Sequence, residues 1–130
     1  MGADVAEVID RLVEDVPDFP QAGVVFKDLG PLMADAEALA TVIESLGAAG
    51  RDADGNPVVD KVVGMESRGF IFGAPVAVAL GAGFVPVRKP GKLPAATHAV
   101  SYTLEYGEAT LEVQANEIAP GDRVLIVDDV

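Results

Sequence analysis

The chain has 130 residues, 50% of them hydrophobic and 23% charged, and a formal net charge of −12. That length and apolar content predict one globular domain with a buried core and exclude a disordered chain. The acidic balance speaks against general binding to nucleic acid or anionic membranes. No apolar run reaches the roughly 18 residues of a membrane span. With no Cys and a single His, His98, neither a disulfide framework nor a multi-His zinc site is available. The acidic start MGADVAEVID lacks the basic and apolar regions of a secretory signal, so a cytoplasmic protein is expected.

Val5, Val8, Ile9 and Leu12 recur at helical spacing, with Asp4 placed to cap them. The following DVPDFPQAGVVFKDLGPLM is too rich in Pro and Gly for a long helix. It reads as an ordered loop with one extended piece at Gly23–Lys27. Asp35 is placed to cap a second helix with the apolar face Leu39, Val42, Ile43 and Leu46, ended by Gly47 and Gly50. RDADGNP is a turn.

From Pro57 the pattern changes. VVDKVVGM reads as a buried strand, ESRG as a tight loop, FIFGAPVAVALG as a helix and GFVPVRK as the next strand. This order is a βαβ unit, which implies a parallel sheet. HAVSYTLEY and ATLEVQANE alternate with period two and predict a β-hairpin turning at Gly107–Glu108. Val124–Val127 reads as a central strand. The sequence stops three residues after it, so the chain is expected to be incomplete relative to its functional domain.

Three segments carry chemistry. Gly64-Met65-Glu66-Ser67-Arg68-Gly69-Phe70 lies where a strand turns into a helix, and helix N-termini favour anions. Ser67 adds a hydroxyl and Arg68 a guanidinium suited to phosphate. On spacing alone, a capped turn with a surface Arg is an equal reading. Arg88-Lys89-Pro90-Gly91-Lys92 follows the next strand and therefore shares that sheet edge. It places three of the chain's nine basic residues within five positions, enough charge for a diphosphate, although a charge run by itself more often marks a solvated face. Asp128 and Asp129 follow the last strand. Paired acids there hold Mg²⁺ directly or through water, bind sugar hydroxyls, or simply meet solvent. Glu105 in the hairpin, His98 and Phe26 each have bland alternatives: a solvent-facing acid, a surface imidazole and a core ring.

Taken together, DFPQAGVVFKDLGPLM, GMESRGFIFG, VRKPGKLP, SYTLEYGEATLEV and PGDRVLIVDDV resemble, in order, the adenine phosphoribosyltransferase family, of the type I phosphoribosyltransferase fold. SRGF, RKPGKLP and LEYG favour the adenine branch over other phosphoribosyltransferases. The resemblance implies an α/β fold: a parallel sheet flanked by helices, an inserted β-hairpin, and a C-terminus lacking its last part. It implies a single domain over 1–130, with a base-binding segment 1–35 and a core 36–130. It also implies a reaction, in which adenine and phosphoribosyl diphosphate give AMP and diphosphate with Mg²⁺, and a homodimer.

By the same resemblance Val25, Phe26 and Lys27 lie at the adenine pocket, with Phe26 stacked on the ring. Many relatives carry Arg at position 27. Glu66, Ser67 and Arg68 form the diphosphate loop, with a non-proline cis peptide expected at Glu66–Ser67. Arg88, Lys89 and Lys92 bind the diphosphate, Glu105 is the catalytic acid or base, and Asp128 and Asp129 face the ribose hydroxyls. Closure of the 89–108 segment excludes water. The family continues after the two acids with a Thr- and Gly-containing loop that cradles the 5′-phosphate, which this sequence does not reach. The alternative function is a non-catalytic module for nucleotide or diphosphate, or an inactive truncated copy.

Overall fold

Asp4 opens the first helix of the protein, whose computed structural model describes residues 4–104 and 107–129. The chain forms two compact units, Met1–Ser45 and Leu46–Val130.

In the first unit the side chain of Asp4 accepts a hydrogen bond from Ala6 N at 3.1 Å and starts α1 (Val5–Leu12), as its short polar side chain predicts. Val8 is the buried residue of this helix, while Ile9 of the expected apolar face is exposed. The Pro-rich stretch that follows holds more regular structure than expected. β1 (Glu14–Pro17) pairs antiparallel with β2 (Val25–Asp28), Glu14 opposite Asp28 and Pro17 opposite Val25. The extended piece expected at Gly23–Lys27 is thus one arm of a hairpin. Between the arms Asp18 Oδ1 accepts from Gly23 N at 2.9 Å, and the Phe19–Pro20 peptide is cis.

α2 (Gly30–Ala34) was not expected either. Pro31 suits its first turn, where an N–H would have no helical partner. α3 (Ala36–Ala48) begins as predicted, with Asp35 Oδ1 accepting from Ala38 N at 2.9 Å. Ala38 and Thr41 are its buried residues in this unit, and the larger Leu39, Val42 and Ile43 are half-buried. The Thr41 hydroxyl donates to Glu37 O, so its burial leaves no unpaired donor. Gly47 lies inside the helix instead of ending it.

The second unit is the expected βαβ construction. β3 (Lys61–Met65), α4 (Arg68–Leu80) and β4 (Gly83–Val87) follow one another. The hairpin β5 (Thr97–Leu104) and β6 (Gly107–Gln114) comes next, and β7 (Val124–Val127) joins the sheet in the parallel order β4-β3-β7. α4 buries Gly69, Phe72, Gly73, Val76, Ala77 and Leu80, an i, i+3, i+4 stripe that packs on the sheet. Val62 and Val76 are both 0% exposed. Burial of each such side chain contributes about 1.5–3 kcal/mol.

Among the described residues β3 is hydrogen-bonded on both edges and buried on both faces, and β7, expected as a central strand, pairs with β3 along one edge. One detail corrects the sequence expectation. The hairpin register pairs Leu104 with Gly107, so Gly107 and Glu108, expected as the turn, are instead the first residues of β6.

No helix among the described residues is long and apolar enough to cross a membrane.

Candidate anion-binding site

The carboxyl ends of β3, β4 and β7 lie side by side, because parallel strands end at a common edge. Each is followed by a segment singled out in the sequence. Glu66, Ser67 and Arg68 follow β3; Arg88, Lys89 and Lys92 follow β4; Asp128 and Asp129 follow β7.

Close packing brings these segments together. Gly64 occupies a place with no room for a side chain, and Gly69 one with little. A Cβ on Gly64 would lie 2.7 Å from Gly69 O and 2.8 Å from the Phe84 ring, and one on Gly69 would lie 3.0 Å from Val127 O. The start of α4 is thereby seated directly against β3 and the end of β7. The Glu66–Ser67 peptide is cis, as expected. Ser67 occupies the N-cap position of α4 without a side-chain capping bond, so its hydroxyl does not compete for the amides there.

Glu66 accepts three hydrogen bonds at this edge. Its Oε1 accepts from Arg88 Nε and from Lys89 N, both at 3.1 Å, and its Oε2 accepts from Lys92 Nζ. The carboxylate is only 8% exposed. The Lys92 ammonium, the Lys89 N–H and Arg88 hold its carboxyl down at about 2 against the opposing effect of burial. The acid is therefore ionised throughout the neutral range.

Arg88 is fixed on several sides. Its backbone N–H donates to Glu112 O at 2.9 Å and its C=O accepts from Glu112 N at 2.8 Å. Its guanidinium carbon stands 5.8 Å from the centre of the Phe70 ring. The Glu112 side chain also accepts from Gly91 N at 3.2 Å, joining β6 to the 88–92 loop. Neither Glu112 nor Phe70 was a sequence candidate. Their only signals were an acid in the strand alternation and a ring two residues after Arg68.

Arg68 Nε lies 2.7 Å from Asp129 Oδ2. Desolvation pushes the Asp128 carboxyl above its ordinary range. The nearby Asp129 charge adds to this, while the Asp129 N–H and Arg68 pull against it. Among the described residues no group of three His, Cys, Asp or Glu converges on a metal position.

The remaining candidates belong to other segments of the chain. Val25, Phe26 and Lys27 lie on β2 of the first unit. Phe26 is half-buried with its ring edge-on to Phe19 at 5.2 Å, Val25 is exposed, and Lys27 Nζ bonds Asp15 Oδ1 at 2.5 Å. Glu105 lies outside the described residues. His98 is exposed on β5.

No protein-family model matches the chain. The adenine phosphoribosyltransferase of Nocardioides sp. is 70% identical over 119 residues, which cover 92% of this chain and 64% of that protein. The adenine phosphoribosyltransferase of Thermobifida fusca is 58% identical over all 130 residues, 72% of its own length. The chain thus spans about two thirds of the length of these curated relatives. The solved adenine phosphoribosyltransferase of Rhodothermus marinus superposes with a TM-score of 0.85 at 49% identity, covering 96% of this chain and 69% of that one. The Saccharomyces cerevisiae enzyme, solved with adenine and an imino-altritol bisphosphate bound, gives 0.88 at 39% identity, covering 96% and 71%.

Proposed function

This chain belongs to the adenine phosphoribosyltransferase family, and we propose that it serves purine salvage by joining adenine to phosphoribosyl diphosphate, giving AMP and diphosphate. The observation that supports this most directly is the shared strand edge, where Arg68, Arg88, Lys89 and Lys92 stand on two loops joined through Glu66.

The ribose carbon becomes cationic, oxocarbenium-like, as diphosphate leaves. The chemical demand is therefore to stabilise negative charge on the leaving group. Arg88 presents its terminal nitrogens in a fixed orientation, because Glu66 and Glu112 hold its Nε and its backbone. Ser67 and the uncapped start of α4 would supply hydroxyl and amide donors to the same group. Asp128 and Asp129 would accept from the ribose hydroxyls. Phe26 would stack on adenine, with Val25 and Lys27 beside it. Glu105 would exchange a proton with the base, and closure of the hairpin would keep water from the ribose carbon.

Mg²⁺ fits this donor set as an ion carried largely by substrate oxygens and water, with Asp128 and Asp129 as hard oxygen groups at the strand end. When bound it would neutralise diphosphate charge. The incompletely compensated charge at Asp128 accords with that fit. A homodimer is the expected assembly, and sedimentation velocity would test it.

The decisive experiment is AMP formation from adenine and phosphoribosyl diphosphate, with and without Mg²⁺, in the protein and in Glu105→Gln. Turnover that needs Mg²⁺ and is lost in the variant supports the proposal. Calorimetric binding of AMP or diphosphate with no turnover in the unmutated protein would favour the non-catalytic module instead.

A further inference from the structure

Glu66 presents a puzzle for an anion site: a nearly buried, ionised carboxylate stands among the cations that should receive a diphosphate. Left uncompensated it would repel that ligand. It is instead compensated by three donors from a single loop, and these differ in how freely they can leave.

Arg88 is held at Nε by Glu66, at both backbone groups by Glu112, and over Phe70. Lys89 contributes only its backbone N–H to Glu66, and its ammonium has no partner among the described residues. Lys92 touches Glu66 through the end of a flexible four-carbon stem, is 45% exposed, and follows Gly91, whose φ is +84°. Lys92 is thus the one partner able to exchange Glu66 for an incoming anion without disturbing the rest.

We propose that Glu66 is a positioning residue that shares Lys92 with the diphosphate, and thereby limits how tightly that product is held. This rests on the diphosphate site proposed above. Oε1 keeps Arg88 and the Lys89 amide oriented in both states. Oε2 gives up Lys92 when the anion arrives and takes it back when the anion leaves. Each diphosphate that gains Lys92 must separate it from a carboxylate, which lowers net affinity and favours release.

The test is calorimetric titration of inorganic diphosphate into the protein and into Glu66→Gln, Lys92→Met and the double variant. Gln retains an oxygen for Arg88 and for the Lys89 amide but carries no charge to hold Lys92. Glu66→Gln is expected to bind diphosphate roughly tenfold more tightly. Lys92→Met should cost more affinity in the Glu66→Gln background than alone. In turnover, Glu66→Gln should lower both kcat and KM for phosphoribosyl diphosphate, a split that loss of structure does not produce. Equal or weaker binding by Glu66→Gln would overturn the inference. Should that variant not fold, side-chain NMR of the unmutated protein decides. On adding diphosphate the contact between the Lys92 ammonium and the Glu66 carboxylate must be lost while that between Arg88 Nε and Glu66 persists, and the reverse pattern would refute the exchange. No diphosphate binding by the unmutated protein would remove the proposed site and this inference with it. Binding by that protein with an unchanged Glu66→Gln would remove the inference alone.

Discussion

Arg68 Nε and Asp129 Oδ2 stand 2.7 Å apart, so the loop after β3 and the end of β7 are joined by an ion pair. Asp129 is 12% exposed and its Oδ2 makes no hydrogen bond among the described residues. The charge contact with Arg68 therefore compensates the buried oxygen. Asp129→Asn should remove one counter-charge from beside Arg68 and cost about 1–2 kcal/mol, between the values for surface and buried pairs. Urea unfolding measures the loss. The same variant should raise KM for phosphoribosyl diphosphate, because a guanidinium less firmly oriented is a poorer phosphate fork.

Glu66 makes stability depend on acid. Its carboxyl is held near 2 in the folded protein, against an ordinary value of 4.5. Between those values the unfolded chain binds the proton and the folded chain does not. The contribution is therefore complete above about pH 4.5 and is lost as pH falls toward 2. Asp122, lowered by the Ala119 N–H and then by Lys61, acts in the same direction. The urea midpoint of the unmutated protein should fall through this window more steeply than that of Glu66→Gln. Parallel curves would mean that the Glu66 carboxyl titrates alike in the folded and unfolded chains, with no lowering by its partners.

The second unit was the more legible in the sequence, and the reason is local. Its parallel strands are apolar runs bounded by Gly and charge, its hairpin alternates with period two, and α4 carries its buried stripe at unbroken helical spacing. β1 and α2 escaped because Pro17 and Pro31 read as breakers. Pro17 ends a four-residue strand and Pro31 sits in a helix's first turn, where neither ring removes a needed donor. At the site, the cations were visible as a cluster on an acidic chain. The roles of Glu66 and Glu112 were not, because both depend on contacts spanning more than 20 positions, which no local pattern encodes.

Gly64 and Gly47 should respond oppositely to alanine. A Cβ on Gly64 would meet backbone oxygen and a ring below 3 Å, so Gly64→Ala should destabilise by about 1–3 kcal/mol and displace the start of α4. Gly47 is helical, with nothing within 4 Å of its added Cβ. Gly47→Ala should stabilise by about 0.5–1 kcal/mol through helix propensity and reduced unfolded-state entropy. Chemical denaturation of the two variants measures both signs.

Glu112 links the hairpin to the cationic loop: its backbone pairs with Arg88 in both directions and its carboxylate accepts from Gly91 N. The Gly91 amide is exposed, so water can replace the lost acceptor in Glu112→Ala and stability should fall by less than about 1 kcal/mol. Orientation should suffer more. Without the side chain, residues 88–92 keep among the described residues the backbone pair of Arg88 with Glu112 but lose the bond at Gly91, and KM for phosphoribosyl diphosphate should rise. Glu112→Gln restores an acceptor oxygen and should bring KM back close to the unmutated value. A KM rise of the same size in both variants would show that the carboxylate charge, and not its bond to Gly91, is what the loop requires.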